Sequence, residues 1–199
     1  AIKLTGNFPS PEEIKKAKHT NIFPPLVLFK YKKDFEKPDM SEGFSKIDEY
    51  KFVRQDDPTF TNKALFLDYD GCLRECIGGN EKFPVSKDQI QINTKCKDIL
   101  LEYKAKGYKL LGVSNQSGVH KGDLSHETAV ELFEYTICPH QSAPISCYCR
   151  KPQVGTFVYF MMKYKLDRKQ CLMIGDQTTD ATFAKRSGIQ YIDQKDFYK

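Results

Sequence analysis

Three short apolar runs in the last two-thirds of this 199-residue chain each break off into polar residues. Ala64-Leu65-Phe66-Leu67 runs into Asp68-Tyr69-Asp70-Gly71, Tyr108 to Val113 into Ser114-Asn115-Gln116-Ser117-Gly118, and Cys171 to Ile174 into Gly175-Asp176. Runs of that length suit strands buried on both faces. The stretches between them have helical character. Lys87 to Lys106 places Ile90, Ile92, Cys96, Ile99, Leu100 and Tyr103 close to helical spacing, and Gly107 ends it. Further helices are predicted over Glu127–Tyr135, Gly155–Leu166 and Thr178–Ser187, the last closed by Gly188, with a final strand at Gln190–Ile192. Strands alternating with helices predict an α/β fold: a parallel sheet with helices on both faces.

Residues 1–60 read differently from 61–199. They are irregular, with Pro9, Pro11, Pro24, Pro25 and Pro38 and one expected strand, Leu26–Tyr31. Hydrophobic residues at 40% and charged residues at 29% support one packed domain with an extension and exclude collagen-like and low-complexity classes. The longest uncharged apolar run, Phe23–Phe29, is far short of a membrane span and is interrupted by two prolines. The start lacks a secretory layout, so the expectation is an intracellular protein of cytoplasm or nucleus, monomeric, with no membrane partner. The net charge of +5 is mild; it permits anionic partners, phosphate-bearing substrates included, without demanding nucleic acid.

In open α/β sheets ligands bind beyond the carboxyl ends of the strands, where these polar residues fall. Asp68 and Asp70 are two apart, so on an extended chain they face one cavity. Gly71 lets the chain turn away sharply. Asp176 and, one helical turn on, Asp180 end the third run, and Arg150-Lys151-Pro152 lies between. Clustered carboxylates stay ionised only beside compensating charge. Oxygen ligands with few imidazoles suit Mg²⁺, and Arg150 and Lys151 suit a substrate anion. Each piece alone is ordinary: a helix cap, a surface pair, a turn. Together they make a phosphoryl-transfer site.

LDYDGCL, GVSNQSG, CRKP and IGDQTTD resemble the four motifs of the haloacid dehalogenase superfamily of phosphatases over residues 63–199. The resemblance implies a Rossmann-like sheet. It implies Asp68 as the nucleophile that forms an aspartyl-phosphate and Asp70 as general acid and then base. Ser114 would hold phosphoryl oxygens, with Asn115 and Arg150 touching substrate, and Lys151 would neutralise developing charge. Asp176 would complete a Mg²⁺ site with Asp68 and the carbonyl of Asp70, supported by Asp180. The second motif often has Thr where this chain has Ser114; the hydroxyl is kept.

Seven cysteines, an odd number, argue against a secreted disulfide scaffold. Cys138, His140, Cys147 and Cys149 give C-x-H, six residues, then C-x-C, a donor set for a closed, structural Zn²⁺ site. Ending directly in Arg-Lys-Pro, it resembles the zinc-bearing histidinol- and heptose-phosphate phosphatases of that superfamily. The alternative is buried thiols beside an unrelated histidine.

Ser114 follows Asp68 by only 46 positions and Arg150 follows Ser117 by 33, too few for a large cap domain. Substrate selection then falls to short loops such as Glu75–Pro84 or to the N-terminal region. There is no G-x-x-x-x-G-K-[ST] loop for ATP. Yet AKHTN and LVLFKYKKDFEKPDMSEGFSKI resemble the closing stretch of the kinase domain in polynucleotide kinase–phosphatases, and GYKLLGVSNQSGV and RKPQVGTF echo their phosphatase part. Phe29, Lys30, Tyr31, Lys32 and Lys33 are candidates to contact nucleic acid, against a plain solvated segment. The first expectation is therefore a polynucleotide or nucleotide 3′-phosphatase, as in DNA repair. A sugar- or histidinol-phosphate phosphatase and an idle binding module are the alternatives.

Overall fold

The computed structural model of the chain describes residues 25–78, 83–133, 137–142 and 147–199. Its centre is a four-stranded parallel sheet of β1 (Asn62–Leu67), β4 (Tyr108–Gly112), β7 (Leu166–Gly175) and β8 (Gln190–Asp193) in the order β4-β1-β7-β8. The central strand β1 explains why the sheet is covered twice. Ala64 and Phe66 turn to one face, Leu65 and Leu67 to the other, and all four are buried. On the first face Phe66 meets Phe157 and Phe160 of α5 (Gly155–Tyr164) and Phe183 of α6 (Thr178–Ser187), with ring centroids 5.3, 6.2 and 6.2 Å away. On the second face Ile99, Leu100 and Tyr103 of α2 (Lys95–Ala105) and Phe197 of α7 (Gln194–Phe197) close the core. Full burial of each large side chain contributes about 2–3 kcal/mol, so the sheet is a rigid base for whatever stands on its strand ends.

The expected α/β sheet with helices on both faces is observed, and α6 has the expected bounds with Gly188 as its left-handed cap. Two local expectations are corrected. Leu26–Tyr31 is no strand but part of helix α1 (Pro25–Asp34). A continuous apolar run does not distinguish the two states. Here a proline at the first helical position and Lys32 and Lys33 in the last turn favour helix. Lys87–Lys106 is not one helix. A 3₁₀ turn at Lys87–Gln89 leads into β3 (Ile90–Ile92), which pairs antiparallel with β2 (Arg74–Cys76), and only then does α2 begin. The β-branched Ile90 and Ile92 fit the ladder. Asn93 accepts from the Lys95 amide at 3.1 Å and turns the chain into α2.

The remaining elements are α3 (Ser117–Lys121), α4 (His126–Phe133) and a two-stranded parallel pair, β5 (Ser114–Asn115) with β6 (Ile137–Cys138). The end of the predicted helix Glu127–Tyr135 lies outside the described residues. Among the described residues the β2–β3 hairpin is what separates β1 from α2, and no large cap is built there. No helix of the described residues is long and apolar enough to cross a membrane.

Candidate active site and metal centres

The chain leaves β1 at Asp68, whose amide donates to the Ile174 carbonyl of β7 at 3.0 Å. Tyr69 then accepts from the amides of Cys72, Leu73 and Arg74, closing a tight turn through Gly71 at φ +86°. That glycine is needed twice: for the angle, and because a Cβ there would lie 2.7 Å from Asp176 Oδ2. The close approach sets the end of β7 against the loop after β1. Gly175 plays a similar part, since a Cβ there would lie 2.5 Å from Asp180 Oδ2.

Asp68, Asp176 and Asp180 each offer a carboxylate oxygen, and these oxygens lie within 4.8 Å of one another. Between Asp68 and Asp180 sits the ammonium of Lys151, 2.5 Å from Asp68 Oδ1 and 2.7 Å from Asp180 Oδ1, with its side chain only 3% exposed. The other oxygen of Asp180 accepts from the Gln177 amide at 3.1 Å. Asp180 is thus both a helix cap and half of a buried ion pair.

Three carboxylates against one ammonium leave two negative charges uncompensated, the charge of one divalent cation. Protonation behaviour expresses the same deficit. Burial pushes the Asp68 carboxyl up to about 6; Lys151 opposes this, and Asp180 and Asp176 add to it. Asp176 is also raised, by burial and then by Asp180. Burial alone would lower Lys151, but Asp68 and Asp180 outweigh it and hold it raised and charged. An all-oxygen donor set of this charge fits Mg²⁺.

A cleft of about 410 Å³ opens over Asp68, with Asp70, Ser114, Asn115, Gln116, Arg150 and Lys151 on its wall. Asp176 lines a smaller adjoining hollow with Asp70 and Gly71. Ser114 is nearly buried, at 4% exposure. One guanidinium nitrogen of Arg150, Nη1, is buried with no hydrogen-bond partner among the described residues. Arg150 itself is only half-buried and lines the cleft, which puts a cation on that wall.

The second cluster stands behind this wall. Cys138 Sγ lies 3.5 Å from both His140 Nδ1 and Cys147 Sγ, and Cys149 Sγ lies 3.2 Å from His140 Nδ1 and 3.4 Å from Cys138 Sγ. A tetrahedral zinc site with Zn–S of about 2.3 Å has edges of about 3.8 Å, so the four donors already form a slightly contracted shell. They crowd one another's protons. Contacts with Cys138 and Cys149 drive Cys147 down, contacts with Cys138 and Cys147 drive Cys149 up, and His140 is pushed up to about 10 by Cys138 and Cys147. Thiolates and imidazole converging in a buried pocket fit Zn²⁺. The cluster is wired to the cleft. Asn115 pairs with Cys138 across β5–β6, Gln116 donates its amide to the Cys138 carbonyl at 2.8 Å, and Cys149 immediately precedes Arg150.

The sequence model of the family described as HAD-hydrolase-like matches residues 148–192. The D-glycero-beta-D-manno-heptose-1,7-bisphosphate 7-phosphatase of Haemophilus influenzae is 32% identical over 139 residues, covering 60% of this chain and 73% of its own. The chain belongs to the haloacid dehalogenase-like family of phosphatases. The histidine biosynthesis bifunctional protein HisB of Legionella pneumophila is 30% identical over 148 residues, covering 65% of this chain and 40% of that protein. In fold the chain is similar to the D,D-heptose 1,7-bisphosphate phosphatase from B. bronchiseptica, a crystal structure complexed with magnesium and phosphate. The TM-score is 0.53 at 21% identity, over 65% of this chain and 78% of that one.

The fold thus gathers Asp68, Asp70, Ser114, Asn115, Arg150 and Lys151 around one cleft, with Asp176 and Asp180 beside it. Asn115, a candidate to touch substrate, lines the cleft and also makes two side-chain bonds to the Lys151 backbone. Two residues were missed. Arg74 donates Nε to Asp70 Oδ1 at 2.8 Å, and Gln116 donates Nε2 to Asp70 Oδ2 at 3.2 Å. Gln116 was within reach of the argument used for Asp68 and Asp70, since it lies two residues from Ser114 on an extended segment. Nothing in the spacing marks Arg74.

Proposed function

We propose that this chain is a Mg²⁺-dependent phosphomonoesterase that works through an aspartyl-phosphate on Asp68, and that its substrate is a small phosphorylated metabolite of the sugar-phosphate kind. The observation that carries the reading is the Asp68 carboxylate under an open polar cleft, with Lys151, Ser114 and Arg150 on its wall. The phosphoryl group of a monoester would lie over Asp68, its oxygens accepting from Ser114, Lys151 and Arg150. An Asp68 oxygen attacks phosphorus as the bond to the ester oxygen breaks, and Asp70 gives that oxygen a proton. Asp70, now ionised, takes a proton from water. The water oxygen attacks phosphorus, inorganic phosphate leaves, and Asp68 is restored. Asp68 and Asp176, with the Asp70 carbonyl, would hold Mg²⁺, supported by Asp180; the bound ion supplies charge neutralisation for the phosphoryl oxygens. Cys138, His140, Cys147 and Cys149 would hold Zn²⁺ in a structural role, ordering the loop that carries Arg150 and Lys151.

The heptose-bisphosphate and HisB relatives support a small metabolite as substrate. A polynucleotide 3′-phosphate is the second reading. It draws on the absence of a cap among the described residues and on helix α1, where Phe29 and Tyr31 are exposed beside Lys30, Lys32 and Lys33. Release of phosphate from p-nitrophenyl phosphate should require Mg²⁺ and vanish in Asp68→Asn. Heptose 1,7-bisphosphate, histidinol phosphate and a 3′-phosphorylated oligonucleotide, compared by kcat/KM, then separate the substrates. Preference for the oligonucleotide would overturn the metabolite reading, and Mg²⁺-independent release would overturn the mechanism.

A further inference from the structure

We propose that Gln116 is a positioning residue that couples the proton-transfer carboxyl of Asp70 to the phosphate-holding hydroxyl of Ser114; this rests on the phosphatase reading above. Gln116 is 5% exposed, and its Nε2 donates to two acceptors, Asp70 Oδ2 at 3.2 Å and Ser114 Oγ at 2.8 Å. The amide is set with its NH₂ end toward both acceptors, while Arg74 Nε donates to the other Asp70 oxygen. Ser114 Oγ then also accepts from that NH₂, and its own hydrogen is turned elsewhere, available to a phosphoryl oxygen in the cleft. The side chain that steadies Asp70 therefore sets the direction in which Ser114 donates.

The arrangement is fixed from every side. The Gln116 backbone N–H donates to the Cys138 carbonyl at 2.8 Å. Asp70 is held at its other oxygen by Arg74 Nε at 2.8 Å. Arg74 is anchored by a bond from Nη1 to the Leu132 carbonyl at 2.8 Å and by its guanidinium lying 5.3 Å from the Tyr69 ring centroid. Asp70 and Ser114 act on different atoms of the same substrate, the ester oxygen and the phosphoryl oxygens. A shared donor keeps the two in register.

The test uses the full chain with Mg²⁺ and p-nitrophenyl phosphate, with inorganic phosphate as a competitive inhibitor. Gln116→Leu should lower kcat/KM at least about tenfold, the scale of one lost hydrogen bond at a reacting group, and weaken inhibition by phosphate. In a Ser114→Ala background the same substitution should change phosphate inhibition little, because the hydroxyl it directs is gone. Gln116→Glu, which keeps the shape but puts an acceptor where Asp70 and Ser114 both take a donor, should lower kcat/KM and weaken inhibition by phosphate as the Leu variant does. Should the Leu variant fail to fold by circular dichroism, the Glu variant carries the test. An active wild type beside a Gln116→Leu variant of unchanged kinetics removes the coupling alone. So do losses that multiply fully in the double variant with unchanged phosphate inhibition in the Glu variant. A wild type that releases no phosphate removes the phosphatase reading itself, and the coupling with it.

Discussion

Asn115 grips the backbone of Lys151 at both polar atoms: its Nδ2 donates to the Lys151 carbonyl at 2.9 Å, and its Oδ1 accepts from the Lys151 amide at 2.8 Å. The two residues are 36 positions apart, one on the short strand β5 and the other on the turn before α5. The side-chain amide thus does what a neighbouring strand would do, in a place where the sheet has ended. It fixes where the long Lys151 side chain starts, and so where its ammonium arrives between Asp68 and Asp180.

Asn115→Ala should therefore impair chemistry more than stability. Both bonds are lost, and Lys151 keeps its carboxylate partners but from a looser origin. Misplacement of a charged group by a fraction of an ångström to an ångström costs on the order of 10²-fold in rate. We expect kcat on p-nitrophenyl phosphate to fall about 10- to 100-fold, with a urea midpoint close to wild type. A variant with wild-type kcat would show that the ion pairs alone place Lys151.

Lys151→Met should show the reverse balance in the metal-free protein. The ammonium is buried and holds two carboxylates. Removing one partner of a buried ion pair leaves uncompensated charge and costs about 3–5 kcal/mol. We expect unfolding at lower urea by that amount, and a larger stabilisation by added Mg²⁺ in the variant than in wild type. Equal stabilisation of the two proteins by Mg²⁺ would mean that cation and ammonium do not answer the same charges.

The acid dependence of stability has a definite sign at Asp68. Its carboxyl is raised from 3.8 to about 6 in the folded chain. Between those values the folded state keeps a proton that the unfolded state has released. Stability from this group is therefore full at the acid end of that window and is lost as pH rises through it. Relative to Asp68→Asn, metal-free wild type should lose on the order of 2–3 kcal/mol between about pH 4 and pH 6.5. Saturating Mg²⁺ should flatten the slope, because a bound cation favours the ionised carboxyl. Urea titrations of both proteins at several pH values measure it, and a wild type that gains stability over Asp68→Asn as pH rises would place the Asp68 carboxyl below its ordinary value.

Much of this was legible before the fold was known, and the reason is local. Strands buried on both faces leave uninterrupted apolar runs, as Ala64–Leu67 does, and a parallel sheet puts its ligand groups at the ends of those runs. What was hidden depends on tertiary context. Leu26–Tyr31 is apolar enough for a strand, and only its flanking proline and lysines tip it to helix. Ile90 and Ile92 match a helix period until Arg74–Cys76 supplies a strand partner. The grip of Asn115 on Lys151 is hidden because nothing in the sequence says that Lys151 will present its backbone to it. Arg74 is reached by the side chain of Asp70 only because the Gly71 turn folds the chain back.

Removal of the second metal should be felt at the first site. The buried Cys138, Cys147 and Cys149 form a small cluster of their own beneath the loop. Thr156 Oγ1 donates to the Cys149 carbonyl at 2.8 Å, tying the start of α5 to it. A loop this short has no core to order it without its ligands, so metal binding supplies that order. Cys149→Ala should lose most of its zinc and drop the thermal midpoint by roughly 10 °C. Wild type stripped by a strong chelator and given back Mg²⁺ alone should recover only part of its phosphate release, and Zn²⁺ added next should restore the rest. The order of addition separates the two ions, because an acid cluster of oxygen donors and a thiolate cluster do not compete for the same metal. Full recovery with Mg²⁺ alone, in protein shown by elemental analysis to carry no zinc, would detach the cysteine cluster from the placement of Arg150 and Lys151.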